Sequence, residues 1–319
     1  MILPLLLLAP LPPQEVDSII LRGIEYSYVE NYDSAKACFQ RVISKVPDHP
    51  AGYFFMAGLY QLYMADFVTD TLTDTFKFYA DTALAKANSK IALDSTDGWW
   101  YFYKGGVLAY YAFVKGKINI LSALPLGLKA TKYLKKAVAR DSTIYDAYGG
   151  IGSFHFFQGM LPLMGKKKLQ GLYEITLTME KGHYNRLAAQ NALCLLYIYD
   201  KQYDKAISLA RDLVNRYPQS RTFLWSLCKA YQEKRDITNA VGAWERLLDM
   251  TLRDQPHTYY NILSICLALC KDYYLLGDKI EGTRVANIAL MLDETKMTPK
   301  EKSLLRKIKI LYKKLEKLQ

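Results

Sequence analysis

Long apolar runs are scarce in this chain. After the first thirteen residues, no stretch reaches the roughly 20 apolar, uncharged residues that a transmembrane helix needs. Charged residues make up 23% of the sequence and hydrophobic residues 51%, a balance that argues against intrinsic disorder. With 319 residues, the chain has room for two average domains or for one elongated repeat array.

Cysteine and histidine are also few, with five and four residues. The cysteines are odd in number and irregularly spaced, which argues against a disulfide framework. Cys266 and Cys270 lie one helical turn apart among apolar neighbours, so we interpret them as buried small side chains and not as metal ligands. The sequence has no His-Glu-x-x-His motif and no glycine-rich phosphate loop. We therefore predict no enzymatic activity, no catalytic residue, no metal and no cofactor. The histidines, which we assign structural roles, are His49, His155, His183 and His257.

Acidic residues are too few to balance the basic ones, which leaves a net charge of +11. The excess is local, because residues 100–182 carry twelve Lys or Arg against four Asp or Glu. A basic surface favours anionic partners such as nucleic acid, acidic proteins or anionic lipid, or it simply keeps a protein soluble. No aromatic RNA-binding signature or zinc-knuckle spacing accompanies the charge, so we do not predict nucleic acid as a partner.

The N-terminus is the one pronounced apolar segment. Residues 1–13 are apolar, and Gln14 and Glu15 follow them. Because this segment resembles the hydrophobic region of a secretory signal peptide, we predict a signal peptide over residues 1–16 and export to the periplasm or cell envelope. No basic residue precedes the apolar run, so a short membrane tether and a cytoplasmic protein remain alternatives.

A spaced pattern of small and large residues recurs along the chain. The same frame occurs at residues 19–47, 190–218 and 224–252, and again between Cys266 and Ala289. In antiparallel helix pairs, small residues let the two helices approach while large ones fill the adjoining holes. The first occurrence consists of Ile19, Gly23, Tyr26, Ala35, Phe39, Val42 and Pro47.

This pattern resembles the tetratricopeptide repeat (TPR), a 34-residue helix pair. The resemblance covers residues 17–298 and implies an all-α, right-handed superhelical solenoid of about seven TPR-like helix pairs. Ala35, Ala83 and Ala130 mark three units in the first half of the chain and are 48 and 47 residues apart. We therefore expect extra residues between the helices of residues 61–182.

Two similar segments occur within this irregular region, at Leu124–Gly127 and Leu161–Gly165. Each contains a Pro, which ends or offsets a helix, and a Gly, which permits a turn. We interpret them as elongated apolar elbows between helices. They are either a duplicated structural feature or a lip that touches a partner, a lipid or a ligand.

The last segment, residues 299–319, has the pattern of a basic amphipathic helix. Thr298 and Pro299 form a helix start, and apolar residues then recur at steps of three and four. Repeat arrays need a terminal helix with a polar outer face, so we predict a capping helix. A helix lying on an anionic membrane and a coiled-coil strand are the alternatives. The apolar residues are Leu304, Ile308, Leu311, Leu315 and Leu318.

The TPR resemblance implies a non-catalytic scaffold that binds an unidentified protein or peptide in a concave groove lined by the first helix of each pair. Aromatic side chains at those positions suit an apolar partner. An alternative follows from the resemblance to periplasmic TPR components of solute transport systems: a module that binds a small molecule or lipid in a closed apolar cavity. The predicted groove residues are Phe54, Trp99, Phe102, Phe156, Trp225 and Tyr274.

Overall fold

In the computed structural model, residues 14–116, 120–160 and 163–318 are described. Their secondary structure is helical, and these three ranges contain no β-strand. The predicted signal peptide lies almost wholly outside them, so export stays a prediction. None of the helices within these ranges is long and apolar enough to cross a membrane.

Fourteen helices form seven consecutive pairs, and a fifteenth follows them in the described part of the chain. This arrangement confirms the predicted all-α array of seven helix pairs with a C-terminal helix. The pairs are α1 (Gln14–Tyr28) and α2 (Tyr32–Lys45), α3 (Ala51–Asp66) and α4 (Thr73–Leu93), α5 (Gly98–Gly116) and α6 (Ile120–Arg140), α7 (Asp146–Gln158) and α8 (Gly165–Lys181), α9 (Arg186–Tyr199) and α10 (Tyr203–Arg216), α11 (Arg221–Lys234) and α12 (Ile237–Asp254), and α13 (Tyr259–Leu276) and α14 (Lys279–Leu290); a short 3₁₀-helix (Glu294–Lys296) then precedes α15 (Pro299–Leu315).

The contacts divide the chain into two compact units. Unit 1 consists of Met1–Ala65 and Thr69–Leu193, and unit 2 consists of Asp66–Val68 and Cys194–Gln319. The division falls inside α9, whose last residues belong to unit 2.

The small residues of the repeat pattern lie where the two helices of a pair touch. Ala35, Ala206 and Ala240 are completely buried. A Cβ atom on Gly23 of α1 would lie 2.5 Å from the Phe39 ring of α2, so this close approach requires glycine. The marker positions of the sequence pattern are therefore packing positions.

The extra residues of the irregular region lengthen helices instead of forming elbows. Helices α4 and α6 each have 21 residues, against 14 in α2 and α10. The predicted elbow Leu124–Gly127 is wrong, because it lies inside α6 and Pro125 falls in the helix's second turn. A proline this close to the N-terminus removes few helical hydrogen bonds, so the helix continues through it. Of the second elbow, Leu161 and Pro162 lie outside the described residues, and Gly165 begins α8.

Helix α15 packs on α13 and α14. Its start is the one that the sequence predicted: the Thr298 side chain accepts a hydrogen bond from the Glu301 backbone, and Glu301 caps Thr298 in return. Leu305, Ile308 and Leu315 are buried. The predicted apolar stripe is therefore shifted, because Leu304, Leu311 and Leu318 are only half-buried and Leu305 takes their place in the core.

Candidate functional site

Three of the predicted groove residues lie in the aromatic interior of unit 1. Phe54, Trp99 and Phe102 are buried, and the Phe102 ring lies 5.6 Å from Phe54 and 5.2 Å from Trp99. Phe156 of α7 is buried as well, with 1% exposure. The expectation that these four side chains line an open groove is therefore corrected: they are part of the packed core.

Glycine explains why this face of unit 1 is closed. A Cβ atom on Gly106 of α5 would lie 2.6 Å from the Phe54 ring of α3, and one on Gly58 of α3 would lie 2.8 Å from the Tyr110 hydroxyl of α5. Because neither glycine has a side chain, α3 and α5 approach closely and bury the aromatic residues between them. The repeat pattern alone does not show this, since it describes the packing within a pair and not between first helices.

A hydrogen-bond network joins α1 to the segment before α9 within unit 1. The Tyr184 hydroxyl donates to Asp17 at 2.6 Å, and His183 Nε2 lies 2.8 Å from the same carboxylate. The Tyr184 ring contacts Phe55 and Trp99 with centroid distances of 5.0 and 5.8 Å. Burial raises the pKa of Tyr184 far above its ordinary value, so the hydroxyl is a donor at any physiological pH.

Asp146 holds the N-terminus of α9 in place. Its buried carboxylate accepts hydrogen bonds from the backbone N–H groups of His183, Tyr184 and Asn185, at 2.7 to 2.8 Å. Burial raises the pKa of Asp146, and these three donors oppose that rise. Asp146 therefore has a structural explanation, which the sequence analysis missed because its partners are about 40 residues away.

A second buried polar cluster spans α6, α7 and α8. Lys135 Nζ lies 3.3 Å from His155 Nε2, and His155 Nδ1 lies 2.7 Å from Glu174 Oε2. An ammonium group only donates, so a neutral His155 accepts at Nε2 and donates from Nδ1 to the carboxylate. The three side chains form a satisfied chain of hydrogen bonds that links adjacent helices, in keeping with the structural role predicted for His155.

The remaining two predicted groove residues are accessible, and both belong to unit 2. Trp225 of α11 is half-buried, and its ring stands perpendicular to that of Trp244 at a centroid distance of 5.3 Å. Tyr274 of α13 is 37% exposed, with Lys314 Nζ 6.0 Å from its ring centroid. Leu195, Tyr199 and Leu275, which the sequence analysis did not select, are also exposed on first helices of unit 2.

A polar cleft of about 440 Å³ opens beside α10 and α11. Its wall includes Arg211, whose guanidinium donates to the Tyr231 hydroxyl, and Lys234, which pairs with Asp204 at 2.6 Å. Three acidic and two basic residues line the cleft, and two of them, Asp204 and Lys234, pair with each other.

The cysteines lie apart from any site. Cys194, Cys228, Cys266 and Cys270 are buried, as predicted for the last two, and burial raises the pKa of each thiol. Buried thiols with raised pKa values are poor nucleophiles. Within the described ranges, no group of three His, Cys, Asp or Glu side chains is arranged to hold a metal ion.

This geometry is that of a helix-pair repeat protein in which small residues set the packing within each pair. A tetratricopeptide-repeat family model matches residues 192–220, from α9 through α10 to the N-cap of α11. This match covers one helix pair, and the other six pairs of the chain have the same helix–turn–helix arrangement.

Solved structures of TPR proteins resemble the chain at low sequence identity. A TPR protein of Thermus thermophilus is 14% identical, with 68% of this chain and 99% of that chain covered and a TM-score of 0.45. A TPR protein of Parabacteroides merdae is 12% identical, with coverages of 93% and 100% and a TM-score of 0.44. The C-terminal part of a TPR protein of Cytophaga hutchinsonii is 20% identical, with coverages of 92% and 98% and a TM-score of 0.44. No curated protein sequence matches the chain significantly.

Proposed function

We propose that this protein is a non-catalytic scaffold that binds a partner protein along the first helices of unit 2. The proposal rests on the positions of the exposed apolar side chains between residues 194 and 276 of unit 2. In this fully described stretch, every exposed large hydrophobic residue lies on α9 or α13, and α10 and α12 have none. The exposed residues are Leu195, Tyr199, Tyr274, Leu275 and Leu276.

Stacked helix pairs place their first helices side by side along one face, which is where such arrays bind their partners. Trp225 is half-buried on α11, the first helix that lies between α9 and α13 in the sequence. Partly exposed aromatic side chains are typical anchors of protein interfaces, because a partly packed ring loses little conformational entropy on binding.

The charge on these helices indicates the chemistry of the partner. Lys271 is exposed next to the exposed end of α13, and Lys229 Nζ of α11 lies 5.8 Å from the Trp244 ring. Lys314 adds a third ammonium group beside Tyr274. We expect an apolar segment with flanking acidic residues, because basic groups around an apolar surface steer an acidic partner to it.

Photo-crosslinking from Tyr274 tests this proposal. A photoreactive phenylalanine analogue at position 274 should crosslink to one protein in extracts of the native cell, whereas the same analogue at Ile280 of α14 should not. Ile280 is a matched control, because it is an exposed apolar residue on a second helix of the same unit.

The partner identified in this way allows a quantitative check. Tyr274→Ala should weaken its binding by about tenfold or more without changing the thermal melt, since the ring is only partly packed. Equal crosslinking from both positions, or unchanged affinity of the Tyr274→Ala variant, would remove the support for this surface.

The cell envelope is the location that we propose, and the apolar residues 1–13 support it. Fractionation of the native cell with N-terminal sequencing of the mature protein tests this point. An unprocessed chain in the cytoplasmic fraction would contradict export but not partner binding.

The alternative of a small-molecule or lipid-binding module expects an enclosed apolar cavity. The cleft beside α10 and α11 is open and has charged walls, so it does not favour that alternative. A lipid that co-purifies in stoichiometric amounts with the protein would support the lipid-binding alternative.

A further inference from the structure

A second apolar surface lies in unit 1, and the scaffold proposal does not use it. Of the ten exposed large hydrophobic residues in the described part of unit 1, eight lie on α5, α6, α7 and α8 or between α7 and α8, and we call these eight the tip patch. They are Phe113, Leu124, Leu128, Phe157, Met160, Leu163, Leu169 and Tyr173.

Helix packing brings ends of these helices together at one edge of unit 1. Helices α6 and α7 run antiparallel, because Leu134 meets Gly150 and, nearer the edge, Gly127 meets Phe154. Gly116, the last residue of α5, faces Ala123 near the start of α6, and Gly159 after α7 faces Lys168 near the start of α8. The late residues of α5 and α7 and the early residues of α6 and α8 therefore share this edge.

The exposure is unusually high for apolar side chains. All eight residues are 49% exposed or more, and Leu163 is fully exposed with a backbone φ of 67°. The left-handed region is unfavourable for leucine, so Leu163 combines backbone strain with a side chain in water. Clustered exposed apolar residues mark an interaction surface more often than single exposed residues do.

The helices of the tip patch carry mostly positive charge. Residues 98–140 and 147–173 contain no Asp or Glu, whereas Lys115, Lys129 and Lys166 are exposed on the same helices. Long lysine side chains can lay their methylene groups along an apolar surface and keep the ammonium group in water. One acidic residue of α4 lies nearby, because the Asp81 carboxylate accepts a hydrogen bond from the Tyr111 hydroxyl of α5 at 2.6 Å. The patch is therefore apolar with a mostly cationic border.

We infer that the tip patch binds the surface of an anionic phospholipid bilayer. Its apolar residues are exposed on both sides of the helix connections, together with lysines, and apolar groups beside cations are the combination that an anionic bilayer surface attracts. Shallow insertion of exposed apolar side chains, with lysines at the level of the anionic headgroups, is the mode of interfacial membrane binding. Binding of this kind requires no membrane-spanning helix.

Sedimentation of the full chain with lipid vesicles tests this inference. The protein should bind vesicles that contain phosphatidylglycerol, bind phosphatidylcholine vesicles much more weakly, and dissociate as the salt concentration rises. The double variant Phe157→Ser, Leu163→Ser should bind anionic vesicles about tenfold or more weakly, because two inserted side chains are lost. Lys129→Glu with Lys166→Glu should weaken binding to a similar degree.

Two controls separate the tip patch from the rest of the molecule. Leu93→Ser should bind like the wild type, because Leu93 is an exposed residue of unit 1 at the C-terminal end of α4, whereas the N-terminal part of α4 contacts the late residues of α5. Lys307→Glu with Lys313→Glu changes the basic helix α15, for which the sequence left membrane binding as an alternative. This variant should also bind vesicles like the wild type. All changed side chains are exposed, so circular dichroism melts should match the wild type.

A second measurement does not depend on loss of binding. A polarity-sensitive fluorophore on Leu163→Cys should shift to shorter wavelength with anionic vesicles, and the same label on Leu93→Cys should not. Failure of the wild type to bind any vesicle, or loss of binding only in the α15 variant, would overturn the inference. Capture of an acidic protein by the patch without vesicle binding would overturn it as well. None of these outcomes affects the crosslinks expected from Tyr274.

Discussion

Two buried aspartates show how burial acts differently on similar side chains. Asp146 receives three backbone hydrogen bonds, whereas Asp272 of α13 is 3% exposed and its Oδ2 atom has no hydrogen-bond partner among the described residues. Burial raises the pKa of Asp272 to about 6. An unpaired buried carboxylate is a source of instability once it ionises.

The pH dependence of stability should therefore change in the Asp272→Asn variant. An acid whose pKa is raised from 3.8 to about 6 in the folded state destabilises the fold as pH rises through this interval. The variant should be more stable than the wild type at pH 7 by about 1–3 kcal/mol, with little difference near pH 4. Urea unfolding at both pH values measures this. A constant difference at the two pH values would contradict the assignment.

Asp146 provides the opposite case. Its removal in Asp146→Ala leaves three backbone N–H groups before α9 without their acceptor, so we expect a loss of about 2–4 kcal/mol at pH 7. Urea unfolding of this variant beside Asp141→Ala isolates the effect, because Asp141 is a half-buried residue that contacts only its local turn. Similar losses in both variants would show that the α9 contacts are unimportant.

At the scale of the helix, the sequence allowed the pairing to be predicted but not the closure of unit 1. The marker residues Ala35, Ala206 and Ala240 were predicted correctly because each contact lies within one pair, at a fixed spacing. Phe54 and Trp99 were wrongly placed in a groove because their burial depends on Gly58 and Gly106, which act between different pairs. A single sequence does not show which first helices come that close.

The failed elbow prediction has a related cause. Leu124–Gly127 contains Pro and Gly, which often end a helix, yet α6 begins at Ile120 and passes through them. Pro125 is the sixth residue of α6, beyond the four N–H groups that lack a helical acceptor, so it removes one backbone hydrogen bond of the helix. Gly127 lies beside Phe154 of α7, a contact between helices that the local sequence does not show.

Overpacking tests the pairing itself. Ala206 of α10 is completely buried, so Ala206→Leu should destabilise unit 2 by roughly 1–3 kcal/mol. Ser208→Leu on the same helix serves as the control, because Ser208 lines the open cleft and a larger side chain there meets solvent. Thermal melts of both variants check this. Equal melting temperatures for Ala206→Leu and the wild type would invalidate the repeat register.

For the whole molecule, the central consequence of a repeat array is that most helix contacts are made between neighbours along the chain. In unit 2, α10 contacts α11, α11 contacts α12, α12 contacts α13 and α13 contacts α14, whereas in unit 1 the hydrogen bonds of Asp17 to His183 and Tyr184 also join distant parts of the chain. Stability in such arrays is the sum of the helix pairs and their nearest interfaces, so local damage need not spread through the chain.

Hydrogen exchange should reveal this locality. Ala240→Leu overpacks α12, so the amides of α11–α13 should lose protection while those of α1 and α2 keep theirs. Ala83→Leu on α4, at the equivalent marker position in unit 1, should instead lower the protection of α4 and α5 and leave that of α11–α13 unchanged, because α4 packs on α5. Mass spectrometry of peptides from both variants measures the two effects in one experiment. A uniform loss of protection over both units would show that the chain unfolds as a single cooperative body, and the nearest-neighbour account of its stability would then be wrong.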